Sequence, residues 1–254
     1  MEQNIQTPSA YPSRFQCLSG NALKIIAVTT MLIDHIGAVL IENGILGGPF
    51  SFDWDAVQAS AGLTFWWNVD VVLRAIGRIA FPIFAYLLVE GFLHTRDVKK
   101  YGLRLLAFGL LSEIPFDLAI YHVPFYWGYQ NVYFTLFLGL IAMIGVQKCE
   151  KERMIWKQTL VLLLCCGASI VLSTDYGAFG VIFIVLLYMT RRNPRTQTIF
   201  GVLALIWEAT AVLAFIPIRM YNGARGKWNL KYLFYAFYPV HLLILWGIWK
   251  IFLA

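Results

Sequence analysis

The chain has 254 residues, of which 59% are hydrophobic, 16% aromatic and only 13% charged, and its mean hydropathy is +0.67. A water-soluble domain of this length needs far more polar surface, so composition excludes that class and predicts an all-α, polytopic membrane bundle. The net charge is +6, but the cations are concentrated in alternate connections, which is explained by membrane topology. We therefore expect the lipid bilayer as a partner and no nucleic acid.

Residues 1–22 are polar and contain no cleavable-signal pattern, which predicts a cytoplasmic amino-terminal segment followed by a retained first helix. Residues 23–254 form one predicted transmembrane domain, because the longest polar connection, Asn43–Phe65, is too short for a separate globular unit. Eight apolar stretches approach or exceed the spanning length of about 20 residues. They are Leu23–Glu42, Trp66–Leu93, Tyr101–Tyr121, Val132–Val146, Thr159–Leu172, Tyr176–Met189, Thr198–Ile218 and Leu233–Leu253.

The connections after the second, fourth and sixth stretches are rich in Lys and Arg, whereas those after the first, third and fifth contain neither. The positive-inside rule therefore places the amino terminus and the basic connections in the cytoplasm, and Asn43–Phe65 outside. The connection of residues 219–231 breaks this alternation, because it is basic where seven spans would place it outside. Either Thr198–Ile218 is a helical hairpin broken near Glu208, which gives nine segments instead of eight, or the loop lies outside against its charge.

Ionisable side chains lie within the apolar stretches, where a charge costs roughly 2.5–3.5 kcal/mol and is usually functional. In the first stretch, His35 follows Lys24 by eleven residues and therefore lies about 17 Å inside the membrane, near its midplane. Its neighbour Asp34 points about 100° away around the helix, which favours a partner on another helix. A single histidine can also serve only as an interhelical hydrogen-bonding group.

The second stretch carries Arg74 and Arg78, which share a helix face at a spacing of four. Gly77 lies beside them and is expected to allow another helix to approach closely. Pro82 removes the helical hydrogen bond to the Arg78 carbonyl, so we expect a kink there.

In the third stretch, Glu113 and Asp117 are also four residues apart. Counting from the basic connection places Asp117 and Arg78 at nearly one depth in an antiparallel hairpin. We therefore expect an Arg78–Asp117 ion pair, which serves either as scaffolding or within a site. Arg74 has no partner at its own level in this hairpin and is expected to remain available for a ligand anion.

The last stretch, FYAFYPVHLLILW, brings Tyr238, Pro239 and His241 together. Pro239 is interpreted as lying near the start of the helix, where proline is tolerated. Tyr238 is either an interfacial anchor or a site residue. His241 begins an otherwise apolar run and approaches the depth of His35, so it is a second candidate for histidine chemistry.

The preceding run YNGARGKWN, residues 221–229, combines turn formers with Arg225 and Lys227. Such a composition is typical of a loop that contacts phosphate groups, and also of a loop that only fixes topology. The four cysteines have neither metal-ligand spacing nor a disulfide pattern, so we expect them to serve packing and expect no metal site.

Six separated runs resemble the TraX family of F-pilin acetylation proteins. They are KIIAVTTMLIDHIGAVL, RAIGRIAFPIFAYLLVEGFLHTRDVKKY, LLSEIPFDLA, NVYFTL, YNGARG and LKYLFYAFYPVHLLIL. That family resembles, more distantly, the multi-span membrane acyltransferases that move an acyl group from cytoplasmic acyl-CoA to an acceptor at the outer face. The resemblance implies an acetyltransferase of the bacterial cytoplasmic membrane, with acetyl-CoA as donor and a pilin amino terminus or another cell-surface molecule as acceptor.

The positions that match the family's motifs are candidate site residues. They are His35, Arg78, Glu90, Gly91, Glu113, Asp117, Asn131, Tyr238 and His241. Acetyl transfer needs a base for the acceptor's proton, and we predict His35 for this role with His241 as the alternative. It also needs a donor to the oxyanion, which an arginine such as Arg78 or an asparagine can supply.

Substrate or cofactor contacts are predicted for further polar residues. They are Asp34, Arg74, Glu90, His94, Glu113, Asp117, Asn131, Tyr238, Arg225 and Lys227. At the cytoplasmic mouth, four cations are expected to hold the phosphates of CoA: Arg96, Lys99, Lys100 and Arg104.

Two alternatives to an acetyltransferase stay open. A secondary transporter would also place such residues at the midplane, although we find no internal repeat, and a noncatalytic pilus-assembly scaffold would explain the basic loops.

Overall fold

The computed structural model describes residues 15–227 and 231–253, and within them the chain forms helices and no β-sheet. The long helices are α1 (Gly20–Ile36), α4 (Ala61–Gly77), α5 (Ala80–His94), α6 (Val98–Ile120), α7 (Val132–Lys151), α8 (Ile155–Val171), α9 (Gly177–Met189), α10 (Pro194–Ala204) and α12 (Lys231–Phe252). The short ones are α2 (Gly48–Ser51), α3 (Trp54–Ala59) and α11 (Phe215–Arg219), with a π-helical extension of α1 at Gly37–Glu42 and a 3-10 helix at Ala209–Ala214. The all-α prediction is confirmed. Most of the predicted amino-terminal segment, residues 1–14, lies outside the described residues.

Four helical stretches in the described ranges are long and apolar enough to cross a membrane. They are Gly20–Glu42, Ala61–His94, Val132–Glu150 and Tyr232–Phe252, and three shorter apolar helices lie at Ile155–Val171, Gly177–Met189 and Ala209–Arg219. Length and composition therefore support four full crossings. The count of eight to nine segments remains a prediction.

The two ends of the bundle differ in charge. At one end, the last turns of α5, α7 and α9 come together. The ring centroids of Phe92 in α5 and Tyr188 in α9 lie 5.5 Å apart, and Arg191 Nη2, just after α9, lies 3.3 Å from Glu150 Oε2 in α7. We call this the basic end, because the Lys- and Arg-rich connections lie there. The opposite, acidic end comprises the connections of residues 43–60, 121–131 and 172–176, whose sequences contain no Lys or Arg.

Residues 194–219 form a hairpin that starts and finishes at the basic end. At its start, the Gln197 side chain donates to the carbonyl of Leu187, in the last turn of α9, at 2.7 Å. After its finish, the N–H of Leu18 donates to the Met220 carbonyl at 2.9 Å, beside the start of α1. The two legs pack closely because residue 201 is glycine: a Cβ there would lie 2.0 Å from the Phe215 ring.

This hairpin agrees with the first of the two topologies that the sequence left open. The chain reverses at residues 205–208, so the break lies at Glu208, as the first alternative predicts. The connection that follows, residues 220–227, lies at the basic end with the other cationic connections. Its charge therefore agrees with the positive-inside rule instead of violating it.

Single cysteines introduced at Ser51, Glu152 and Ala224 are expected to test this arrangement. All three positions are exposed. The protein should carry Cys17→Ser, because Cys17 is exposed, whereas Cys149, Cys165 and Cys166 are buried as packing residues. We expect an impermeant thiol reagent to label positions 152 and 224 from the cytoplasmic side and position 51 from the other side. Labelling of positions 51 and 224 from one side would contradict the hairpin.

Candidate functional site

Two histidines from the first and last long helices meet inside the bundle, and His241 is buried while His35 is partly buried. Nδ1 of His35 in α1 lies 2.7 Å from Nε2 of His241 in α12. Nδ1 of His241 in turn lies 2.7 Å from the carbonyl oxygen of Phe237, one turn earlier in α12. The structure thus joins two residues that the sequence placed at one depth but did not pair.

The Phe237 carbonyl determines which histidine nitrogens carry protons. A carbonyl oxygen only accepts hydrogen bonds, so Nδ1 of neutral His241 carries the proton and its Nε2 presents a lone pair. His35 then donates through its own Nδ1–H, which leaves Nε2 of His35 with a free lone pair. The Tyr238 ring packs edge-on against both imidazoles, with centroids 5.8 Å from His35 and 5.7 Å from His241. The pair is therefore an oriented chain with one available basic nitrogen.

Tyr238 and Pro239 lie deeper in their helix than the sequence predicted. Tyr238 is only 3% exposed, so it is not an interfacial anchor. Pro239 lies inside α12, which begins at Lys231, so its placement near the helix start is wrong. Because proline has no N–H, the Tyr235 carbonyl loses its helical donor, and the Tyr133 hydroxyl donates to that oxygen at 3.2 Å instead. This bond ties α7 to α12 just before the histidine.

An ion pair lies next to the histidine pair. Arg74 Nη1 of α4 donates to Asp34 Oδ2 of α1 at 2.8 Å, and Arg74 Nε lies 3.8 Å from Glu42 Oε2. The prediction that Asp34 has a partner on another helix is confirmed, and the prediction that Arg74 lacks a partner is wrong. The helices come this close because residue 77 is glycine: a Cβ there would lie 2.2 Å from Asp34 Cβ and Oδ1.

Gly77→Ala is expected to lower the melting temperature of the purified protein, because the new methyl group pushes Asp34 away. Overpacking of this kind typically costs about 1–3 kcal/mol. Gly62→Ala in the same helix is the matched control, since a Cβ there meets only Ser60 Oγ, at 3.8 Å. Alanine favours a helix over glycine, so the control should be at least as stable as the parent. Equal melting temperatures for the two variants would disprove the close contact.

Arg78 lies in the break between α4 and α5, at the position where Pro82 removes a helical hydrogen bond. Its Nη1 lies 3.2 Å from Oε1 of Glu208, at the reversal of the hairpin. Asp117 instead accepts the backbone N–H of Tyr126 at 2.7 Å. The predicted Arg78–Asp117 pair is therefore wrong, because α6 packs mainly against α7 and α12.

Glu113 and Asn131 come together between α6 and α7. The Asn131 amide donates to the Glu113 carboxylate and, at 2.9 Å, to the Gly109 carbonyl, while its oxygen accepts the N–H of Tyr133 at 3.0 Å and so caps α7. Asn131 is fully buried and holds the start of α7 against the middle of α6. Its amide is thus engaged in structure, and its predicted substrate role stays a prediction.

The turn between α8 and α9 lies at the acidic end and is hydrogen-bonded to the connection between α6 and α7. The Tyr129 hydroxyl donates to Asp175 Oδ1 at 2.7 Å, and the N–H of Asp175 donates to the Gln130 carbonyl at 2.8 Å. Burial raises the pKa of Asp175 to about 6, and the hydrogen bond from Tyr129 opposes that rise. Neither Asp175 nor Tyr129 is among the site residues predicted from the sequence.

A cavity of about 480 Å³ opens at the basic end between α1, α5, α6 and α12. Its polar lining includes Lys24, Glu90, His94, Arg104 and Arg225, and its apolar lining includes Phe84, Leu88, Leu105 and Leu136. The predicted contact residues Glu90, His94 and Arg225 and the predicted phosphate-binding residue Arg104 therefore share one cavity. The other predicted cations are not part of this lining: Arg96, Lys99, Lys100 and Lys227.

These features define a class of protein: a helical membrane protein with a histidine pair and ion pairs inside the bundle and a cation-lined cavity at one end. In the described ranges, no group of three His, Cys, Asp or Glu side chains is placed to bind a metal. The family described as TraX protein matches residues 19–249, and the chain belongs to the TraX family.

A curated relative from Dichelobacter nodosus bears the name "Probable fimbrial assembly protein FimC, serogroup H1". It is 29% identical over 252 residues, which cover 88% of this chain and 92% of the relative. No solved structure matches. The resemblance inferred from the six sequence runs is thus confirmed at the level of the family.

Proposed function

We propose that the protein is an integral membrane acetyltransferase that takes an acetyl group from acetyl-CoA at the basic end. The acceptor lies in the membrane or at the acidic end. The observation that carries the proposal is the oriented His35–His241 pair, which presents one basic nitrogen inside the bundle. The charge of the connections favours the basic end as the cytoplasmic side, and the family resemblance implies the cytoplasmic membrane of a bacterial cell.

In the proposed reaction, Nε2 of His35 takes the proton of the acceptor's amine or hydroxyl as that group attacks the thioester carbonyl. His241 accepts the hydrogen bond from Nδ1–H of His35 and stabilises the imidazolium that forms. The tetrahedral intermediate then collapses, the C–S bond breaks, and the proton on Nε2 passes to the leaving thiolate. His35 is neutral again after each transfer, so the cycle consumes no further acid or base.

Positive charge near this site would stabilise the oxyanion of the intermediate. Arg74 is held beside His35 by its bond to the neighbouring Asp34 and supplies such a charge. Arg78, the oxyanion donor expected from the sequence, is bound to Glu208. Both arginines are ion-paired, so we assign the electrostatic role to Arg74 first because its charge acts on His35, and the role of Arg78 stays a prediction.

The basic-end cavity suits the donor. Its volume is within the range of small-molecule sites, about 300–1,000 Å³. Lys24, Arg104 and Arg225 line it and offset the phosphate charges of CoA. The apolar wall formed by Phe84, Leu88 and their neighbours receives the acyl end of the donor. The lining thus combines cations that suit the phosphates with apolar side chains that suit the acyl group.

We propose a component of the pilus-assembly apparatus as the acceptor. The D. nodosus relative is named as a probable fimbrial assembly protein, and the TraX resemblance implies acetylation of a pilin. The amino terminus of a pilin is therefore the first acceptor to test. Mass spectrometry of cells with and without the protein would identify any other acceptor by a difference of one acetyl group.

A secondary transporter is the second candidate, favoured by one observation. The hairpin of residues 194–219 and the broken α4–α5 helix meet through the Arg78–Glu208 bond, and interrupted helices with charges at their breaks are typical of transporters. A scaffold without activity would need neither these breaks nor the histidine pair.

Purified protein in lipid nanodiscs, given acetyl-CoA and a pilin amino-terminal peptide, tests the proposal. We expect release of free CoA thiol and a matching gain of one acetyl group on the peptide. Proteoliposomes prepared in parallel test for substrate uptake. Uptake of substrate into proteoliposomes without release of CoA would contradict the acetyltransferase and support the transporter. Neither uptake nor CoA release would support the scaffold.

A further inference from the structure

The basic-end cavity stops short of the histidine pair. Tyr133 lines its inner end, whereas His35 and Tyr238 are not part of its lining. The rings of Tyr133 and Tyr238 meet edge to face, with their centroids 5.3 Å apart. The Tyr238 ring also packs edge-on against the His35 ring, at a centroid distance of 5.8 Å. Tyr133 thus touches both the cavity and the Tyr238 ring, which in turn packs against His35.

The Tyr133 ring is held in this position from two sides. Its hydroxyl donates to the Tyr235 carbonyl, which Pro239 leaves without a helical donor. Its backbone N–H donates to the Asn131 side chain at the start of α7. The side chain is 8% exposed, so the ring has little free space around it. A ring fixed in this way forms a firm inner wall to the cavity.

We propose that the Tyr133 ring limits the acyl chain of the donor to two carbons. This inference rests on the proposed acetyl transfer. When the phosphates of an acyl-CoA stay at the cationic mouth, the acyl group is the deepest part of the ligand and lies against Tyr133. Each further methylene must then displace the ring. One methylene in a tight apolar pocket changes reactivity by about 10-fold to 200-fold, so a rigid wall here is sufficient to select acetyl.

Tyr133→Ala removes the ring, and Tyr133→Phe keeps the ring while removing the hydroxyl. The readout is the ratio of kcat/KM for acetyl-CoA to that for hexanoyl-CoA, with butyryl-CoA as an intermediate length. We expect Tyr133→Ala to lower this ratio by about tenfold or more and Tyr133→Phe, which keeps the ring but loses one of its two anchors, to lower it by less than Tyr133→Ala does. If Tyr133→Ala fails to fold, Tyr133→Leu gives a smaller change in the same direction. An unchanged ratio in the folded Ala or Leu variant would overturn the proposal.

Competition binding of the same acyl-CoAs to the purified proteins separates this inference from the reaction itself. If the parent protein transfers no acetyl but binds acetyl-CoA better than hexanoyl-CoA, and Tyr133→Ala removes that preference, the reaction fails and the chain-length limit stands. If the parent transfers acetyl, and Tyr133→Ala changes neither the ratio of kcat/KM values nor the ratio of affinities for acetyl-CoA and hexanoyl-CoA, the chain-length limit fails and the reaction stands. Equal binding of all chain lengths to both proteins, without transfer, would overturn both.

Discussion

His35→Ala is expected to lower acetyl transfer by about 100-fold or more, while the amount of folded protein and the affinity for acetyl-CoA stay close to those of the parent. General-base catalysis contributes typically 10²–10⁴-fold, and Nε2 of His35 is the only nitrogen that the hydrogen-bonded pair leaves available for it. The affinity should persist because His35 does not line the cavity. The measurements are CoA release with saturating acceptor and acetyl-CoA binding to the same preparation.

Substitutions at His241 are the matched comparison. His241→Ala removes the acceptor for Nδ1–H of His35, whereas His241→Gln offers a side-chain oxygen in its place, so the Gln variant should retain more activity than the Ala variant. If activity survives loss of His35 but not loss of His241, the base is His241 and the reaction class stands. If neither substitution slows transfer by folded protein, the histidine mechanism is refuted.

The sequence predicted the helical fold well because its signals are local. Apolar stretches of spanning length mark helices without knowledge of their neighbours, and a basic connection out of alternation made the hairpin at Glu208 one of two alternatives. The choice between hairpin and full span depended on the contact of residues 220–222 with the start of α1. Such a contact between distant parts of the chain has no sequence signal.

The site was predicted only in part because counting along a helix gives depth and not the neighbouring helix. Counting correctly placed His35 and His241 at one level in helices that do touch. The same counting paired Arg78 with Asp117, although α6 packs against α7 and α12 and Arg78 reaches Glu208. Tyr133 was missed because a tyrosine near the end of an apolar stretch has the same sequence pattern as an interfacial anchor.

The Asp34–Arg74 pair is expected to give the largest effect on stability. Asp34→Ala leaves the Arg74 guanidinium without its 2.8 Å partner, and Arg74→Ala does the same to the Asp34 carboxylate. The Arg74 and Asp34 side chains are 29% and 19% exposed, so each loss should cost less than that of a fully buried pair, on the order of 1–3 kcal/mol. Each single variant should therefore yield less folded protein and a lower melting temperature in detergent. The double variant should recover part of the loss, because it leaves no charge behind.

Glu42→Ala is the control for this cycle. Glu42 lies 3.8 Å from Arg74 with 39% of its side chain exposed, so its removal should cost about 1 kcal/mol or less. A coupling energy between Asp34 and Arg74 that exceeds the Glu42 effect would establish that the pair holds α1 against α4 beside His35. If both single variants are as stable as the parent but bind or turn over acetyl-CoA poorly, the pair does not stabilise the fold. Arg74 would then be the anion-binding residue that its position in the sequence first indicated.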